Sequence, residues 1–160
     1  MTNLGVSKKR PEANANCMNG RVNGQMNGHA RDSMNPVRVL VVDDHDGFRN
    51  SIVEALSGVP HVVVAGEANS GERACVVAID LEPDVVLIDF SMPGMNGIET
   101  TRRIRHSNPD TRVVILTASA GHAMEQRALA AGASVVVPKG TPIEDVVGVI
   151  LNAAGEGESE

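Results

Sequence analysis

Three aspartates, a threonine and a lysine each stand where a short run of Val, Ile and Leu stops. Asp43 and Asp44 close "VRVLVV" (37–42), Asp89 closes "DVVLI" (84–88), Thr117 closes "RVVIL" (112–116) and Lys139 closes "SVVVP" (134–138). Each has an ordinary explanation when taken alone. A strand-end aspartate commonly caps the next helix, where the helix dipole favours negative charge, Thr117 suits a strand, and a lysine suits solvent. Together they ask for chemistry. Carboxylates brought within a few ångströms repel one another unless protonated or bridged by a cation. An oxygen set with room for water suits Mg²⁺, which takes one or two carboxylates and a phosphate partner. A cation beside a free carboxylate, a lysine and a hydroxyl is equipment for phosphoryl transfer, and a carboxylate is a competent nucleophile for making an acyl phosphate.

These residues meet only if the strands end on one edge of one sheet. The five runs, with "HVVVAG" (61–66) as the second, begin at least 20 residues apart, enough for a crossover helix between each pair. They are near-continuous and β-branched instead of alternating, which suits strands covered on both faces. Between them lie helical patterns. Phe48, Ile52, Ala55 and Leu56 share one face, as do Ala74, Val77, Ala78 and Leu81, and Ile143, Val146, Val147, Ile150 and Leu151 follow the helical period. "TPIE" predicts the start of the last helix, with Thr141 as N-cap, Pro142 at its first position and Glu144 completing a capping box. Gly132 is the expected stop of "HAMEQRALAA", whose alanine-heavy face makes it the most loosely packed helix. Five strands alternating with five helices give a doubly wound α/β domain. Right-handed crossovers make the strands parallel, so their ends share the edge where such folds bind ligands.

The ends of the chain have a different character. Residues 1–35 are rich in Asn and Gly and poor in apolar side chains, so an ordered state there has little to offset its entropy. We read them as a disordered tail, residues 36–153 as the folded domain and 154–160 as a flexible end. The first 36 residues hold five basic and two acidic side chains, +3, which leaves −9 for the rest of a chain whose net charge is −6. An acidic folded body argues against direct grip on nucleic-acid phosphates. Cys17 and Cys75 stand far apart, the five histidines show no ligand spacing, and no apolar run is long enough to span a bilayer. The expected setting is cytoplasmic, with no membrane partner.

The motifs "VLVVDDH", "DVVLIDFSMPGMNGIE", "VVILTAS" and "AGASVVVPKG", in that order, resemble the receiver domain of bacterial two-component response regulators. "VVDDH" with Arg49, and "GEANSGERA", are similar in particular to the branch that often carries a C-terminal helix-turn-helix. The resemblance implies a flavodoxin-like (βα)5 fold, a five-stranded parallel sheet in the order 2-1-3-4-5. It implies that Asp89 is the phosphoacceptor and that Mg²⁺ is held by Asp44, Asp89 and the backbone carbonyl of Ser91, with Asp43 acting through water. Lys139 would pair with the phosphoryl oxygens and Thr117 would carry its hydroxyl to them. Ser91 and Ser119 take the positions that tune phosphate loss. The protein would then be a switch and not an enzyme, taking phosphate from a histidine kinase or phosphotransfer protein. Its output would be a downstream protein partner or a C-terminal output domain missing from the chain. Two positions depart from the family pattern: Val136 stands where Tyr or Phe is usual, and Pro138 precedes Lys139, with Gly140 after it. Two other readings compete. One is a receiver-like binding module that needs no phosphate. The other is a phosphatase of the haloacid-dehalogenase type, whose D-x-D is imitated by Asp44 and Asp46, although the late acidic pair of those enzymes is missing.

Overall fold

The computed structural model describes residues 35–119 and 121–156, so Cys17 and all but the inner edges of the two expected tails lie outside it. Strands and helices alternate: β1 (Val37–Val42), α1 (Asp46–Ser57), β2 (Val62–Ala68), α2 (Gly71–Leu81), β3 (Val85–Asp89), α3 (Gly97–Ser107), β4 (Arg112–Thr117), α4 (His122–Ala130), β5 (Val135–Pro138) and α5 (Ile143–Glu156). The strands are parallel throughout and ordered β2-β1-β3-β4-β5, as the resemblance implied. Both faces of this sheet are covered. Val39, Val41, Leu87 and Val114 point to one layer, where they meet Ile52 and Leu56 of α1 and Val146 and Ile150 of α5. Leu40, Val42, Ile88 and Ile115 point to the other, against Ala74 and Ala78 of α2, Ile98 and Ile104 of α3 and Ala128 of α4. Every residue of central β3 is buried, which is why its sequence shows no alternation.

Local chemistry fixes several helix ends. Ser70 accepts from the Arg73 N–H to start α2, and Asn96 accepts from the Glu99 N–H to start α3. At the end of α4, Gly132 adopts φ +114. The N–H of Ala133 returns to the Ala128 carbonyl and that of Gly132 to the Leu129 carbonyl, a Schellman closure that makes Gly132 the stop. Only Ala128 of α4 is buried, in keeping with the loose packing expected of it.

Two boundaries and one helix face differ from the sequence reading. Helix α5 begins at Ile143, and the Pro142 carbonyl accepts from Val146, so Pro142 occupies the cap position assigned to Thr141. Leu151 is 38% exposed while Ala153 and Ala154 are buried. The stripe is centred on Val146 and Ile150, which turns Leu151 to its edge. Strand β2 continues through Gly66 to Ala68, paired with Leu40, Val41 and Val42 of β1, and Leu81 of α2 lies on that glycine, where a Cβ would come within 2.5 Å of Leu81 Cδ1. No helix among the described residues is long and apolar enough to cross a membrane.

Candidate functional site

The turn after β1 is pinned before its carboxylates are used. The Asp43 N–H donates to the Ala68 carbonyl at 3.1 Å, extending the ladder to β2 by one rung. Its carbonyl accepts from Arg49 Nη1 at 2.7 Å, and its Oδ1 accepts from the His45 N–H at 2.8 Å. Arg49 is in turn gripped by Asp46 at 2.8 Å and Glu67 at 3.1 Å. Neither Asp43 nor Asp44 caps α1, whose N-cap residue is His45 with no side-chain cap bond. The bland reading of those aspartates therefore does not describe them.

Asp43 Oδ2 faces Lys139 Nζ at 3.3 Å. Asp89, 3% exposed at the end of β3, places Oδ1 at 3.1 Å from the same Nζ. Its backbone is locked by the α3 start: the Gly97 N–H donates to the Phe90 carbonyl at 2.9 Å, and a Cβ on Gly97 would lie 2.9 Å from the Asp89 carbonyl oxygen. Only glycine allows α3 that close to the acceptor. Asp44 completes the acidic group. Its Oδ1 is buried without a hydrogen-bond partner, 3.6 Å from His45 Nδ1.

Two carboxylates thus share one ammonium, and the charge of a third, Asp44, is felt at Asp89. Burial pushes the Asp89 carboxyl above the usual range, the Lys139 hydrogen bond pulls it back, and the charges of Asp43 and Asp44 add to the rise. Burial pulls the Lys139 ammonium down, but its bond to Asp89 and the charges of Asp43 and Asp89 outweigh it, so its pKa rises. Single ligand atoms of Asp43, Asp44 and His45 lie within 4.8 Å of one another. Hard oxygen donors, one of them an orphaned buried acceptor, fit a divalent cation such as Mg²⁺.

Thr117 is buried at the end of β4, its hydroxyl donating to the Ser119 carbonyl at 3.1 Å and accepting from the Ser119 N–H at 3.2 Å. It is at the expected edge but holds to its own loop, not to the Asp89–Lys139 pair. Ser91 is exposed, two residues past Asp89, at the head of the segment leading to α3. Pro138 does not break the β4–β5 ladder, because the Lys139 N–H donates to the Thr117 carbonyl at 2.8 Å. Val136 is half-buried against the α2, α3 and α4 layer.

Sequence reasoning missed two neighbours of this cluster. Histidines were weighed by their spacing from each other, which hides a single His45 beside two acids. Phe48 was read as a core residue of α1, yet Lys139 Nζ lies 4.4 Å from the centre of its ring. The available signal was that Phe48 is one of only two aromatic residues in the chain and follows Asp44 by one helical turn.

The family model for the response regulator receiver domain matches residues 39–151. "Response regulator GacA" of Pseudomonas viridiflava is 42% identical over 114 residues, covering 71% of this chain and 53% of that protein. "Nitrate/nitrite response regulator protein NarL" of Escherichia coli (strain K12) is 34% identical over 119 residues, covering 74% of this chain and 55% of the relative. The chain spans about half the length of the curated relatives it matches. Among solved structures, the signal receiver domain of the putative response regulator NarL from Mycobacterium tuberculosis superposes with a TM-score of 0.72 at 37% identity, covering 75% of this chain and 97% of that one.

Proposed function

Because this chain belongs to the response regulator receiver domain family, we propose that it accepts a phosphoryl group on Asp89 and converts the new charge into an altered partner-binding surface. The donor is a histidine kinase or a phosphotransfer protein of a two-component system. The observation that carries this reading is the junction of Asp43, Asp89 and Lys139, in which a buried carboxylate has one cation against two neighbouring acids.

An Asp89 carboxylate oxygen attacks the donor phosphorus, the P–N bond of the phosphohistidine breaks, and the imidazole leaves. Mg²⁺, when bound, supplies positive charge against the phosphoryl oxygens. Asp44, Asp89 and the Ser91 carbonyl would hold it, with Asp43 contributing through water. Lys139 exchanges its Asp89 contact for a phosphoryl oxygen. Thr117 gives up its Ser119 bonds to reach another, which biases the α4–β5–α5 surface between two states. The thin burial of α4 supports that surface as the part that moves. The receiver unit begins at about residue 36 and runs to the end of α5 at Glu156, past the expected boundary at 153 because Ala154 is buried in the core, in a cytoplasmic setting. The output is a downstream protein partner or an output domain beyond this chain, and no nucleic acid is gripped directly.

Incubation with acetyl phosphate and Mg²⁺, followed by intact mass measurement, tests this. A phosphate-sized gain on wild type and none on Asp89→Asn supports the switch. No gain on either favours a module that works without phosphate, and steady turnover of generic phosphate esters favours a phosphatase of the haloacid-dehalogenase type.

A further inference from the structure

The site contains an aromatic ring that the phosphoryl-transfer scheme leaves unused. Phe48 lies in the first turn of α1, half-buried on the α1 and α5 layer, and its ring centre is 4.4 Å from Lys139 Nζ. The ammonium therefore has three supports: Asp89 at 3.1 Å, Asp43 at 3.3 Å and the ring. The side chain that carries it is 22% exposed. A ring face attracts a cation through its quadrupole and brings no net charge. In a pocket already holding three carboxylates, such support adds no net negative charge. Two phenylalanines and no Tyr or Trp occur in 160 residues, so placing one of the two against the site lysine is an uneven use of scarce aromatics.

The geometry points to Phe48 as a positioning residue for Lys139: its ring holds the ammonium at the Asp43–Asp89 junction, where an incoming phosphoryl group will need it. This rests on the proposed role of Asp89. Packing alone predicts something else, namely that Leu serves as well as Phe.

The chain has three lysines, Lys8, Lys9 and Lys139, so lysine-selective ¹³C,¹⁵N labelling of the full chain gives few signals, and Lys139→Arg assigns the one of interest. The ring should shift the Lys139 ε-methylene protons upfield. Phe48→Leu should keep the fold by far-UV circular dichroism, lose that shift, and slow phosphorylation by acetyl phosphate about fivefold, the size of a partly desolvated cation–π contact. Phe48→Trp, a stronger cation–π partner, should restore both. Two results overturn the assignment: no upfield shift in wild type, or a Phe48→Leu protein phosphorylated at the wild-type rate. If wild type takes no phosphate, the role of Asp89 fails, and the shift still decides whether the ring holds the lysine.

Discussion

Strands β1 and β3 lie side by side, and their two ends meet opposite electrostatic conditions. At their beginnings, the Arg38 N–H donates to Asp84 Oδ2 at 2.8 Å and the Arg38 guanidinium donates to the Leu81 carbonyl at 2.7 Å. One carboxylate faces donors. At their ends, Asp43 and Asp89 share one ammonium beside a third carboxylate, Asp44, whose Oδ1 is left unbonded. The same pair of strands thus holds a pairing that serves folding and a crowding that works against it. The second persists because the apolar rows between the two ends fix the backbone firmly enough to carry it.

The strongest way to break this contrast is to take away the cation. Lys139→Met should lower stability at neutral pH by roughly 3 kcal/mol, the low end for breaking a buried pair, because the lysine keeps some access to water. Urea unfolding measures it, and an unchanged midpoint would mean that the carboxylates do not depend on the lysine. At the other end, Asp84→Ala should cost about 1 to 2 kcal/mol by stripping the Arg38 N–H of its acceptor. The same unfolding curves report it, with no effect expected on phosphorylation. Asp89→Asn should act in the opposite direction, raising stability by about 1 kcal/mol at neutral pH as it relieves like-charge repulsion.

The pH dependence sharpens the last point. A carboxyl whose folded pKa is raised binds its proton more tightly in the native state, so stability falls as pH climbs from the ordinary Asp value through the raised one. Wild type should lose stability across that window, and Asp89→Asn should lose less. Parallel slopes for the two proteins in melting runs between pH 4 and pH 7 would count against the raised pKa.

The crowded end was largely legible in the sequence. A β-branched run that stops on Asp marks a strand end, and parallel connection puts all such ends on one edge, so Asp43, Asp89 and Lys139 could be assembled without coordinates. What was hidden depends on crossings between remote segments. Phe48 and Lys139 are more than 90 residues apart, and Arg49 draws its second partner, Glu67, from the neighbouring strand. Helix period places Phe48 toward the core but says nothing of which strand end lies beneath it. Strand β2 ran past its expected stop at Gly66 because residues 66–68 keep pairing with the end of β1, and the glycine itself makes room for Leu81. At "TPIE" the residue types pointed to Thr141 as the cap, whereas the backbone bond from Val146 puts Pro142 there.

The central claim is that the crowding of Asp43, Asp44 and Asp89 is relieved by a divalent cation. Thermal unfolding with and without Mg²⁺ tests it on wild type and on Asp44→Ala. A ligand that binds only the folded state stabilises by mass action, about 2.7 kcal/mol at a hundredfold excess over Kd, so wild type should melt several degrees higher in Mg²⁺ while Asp44→Ala does not move. A flat wild-type response, or an equal rise in both proteins, would contradict it.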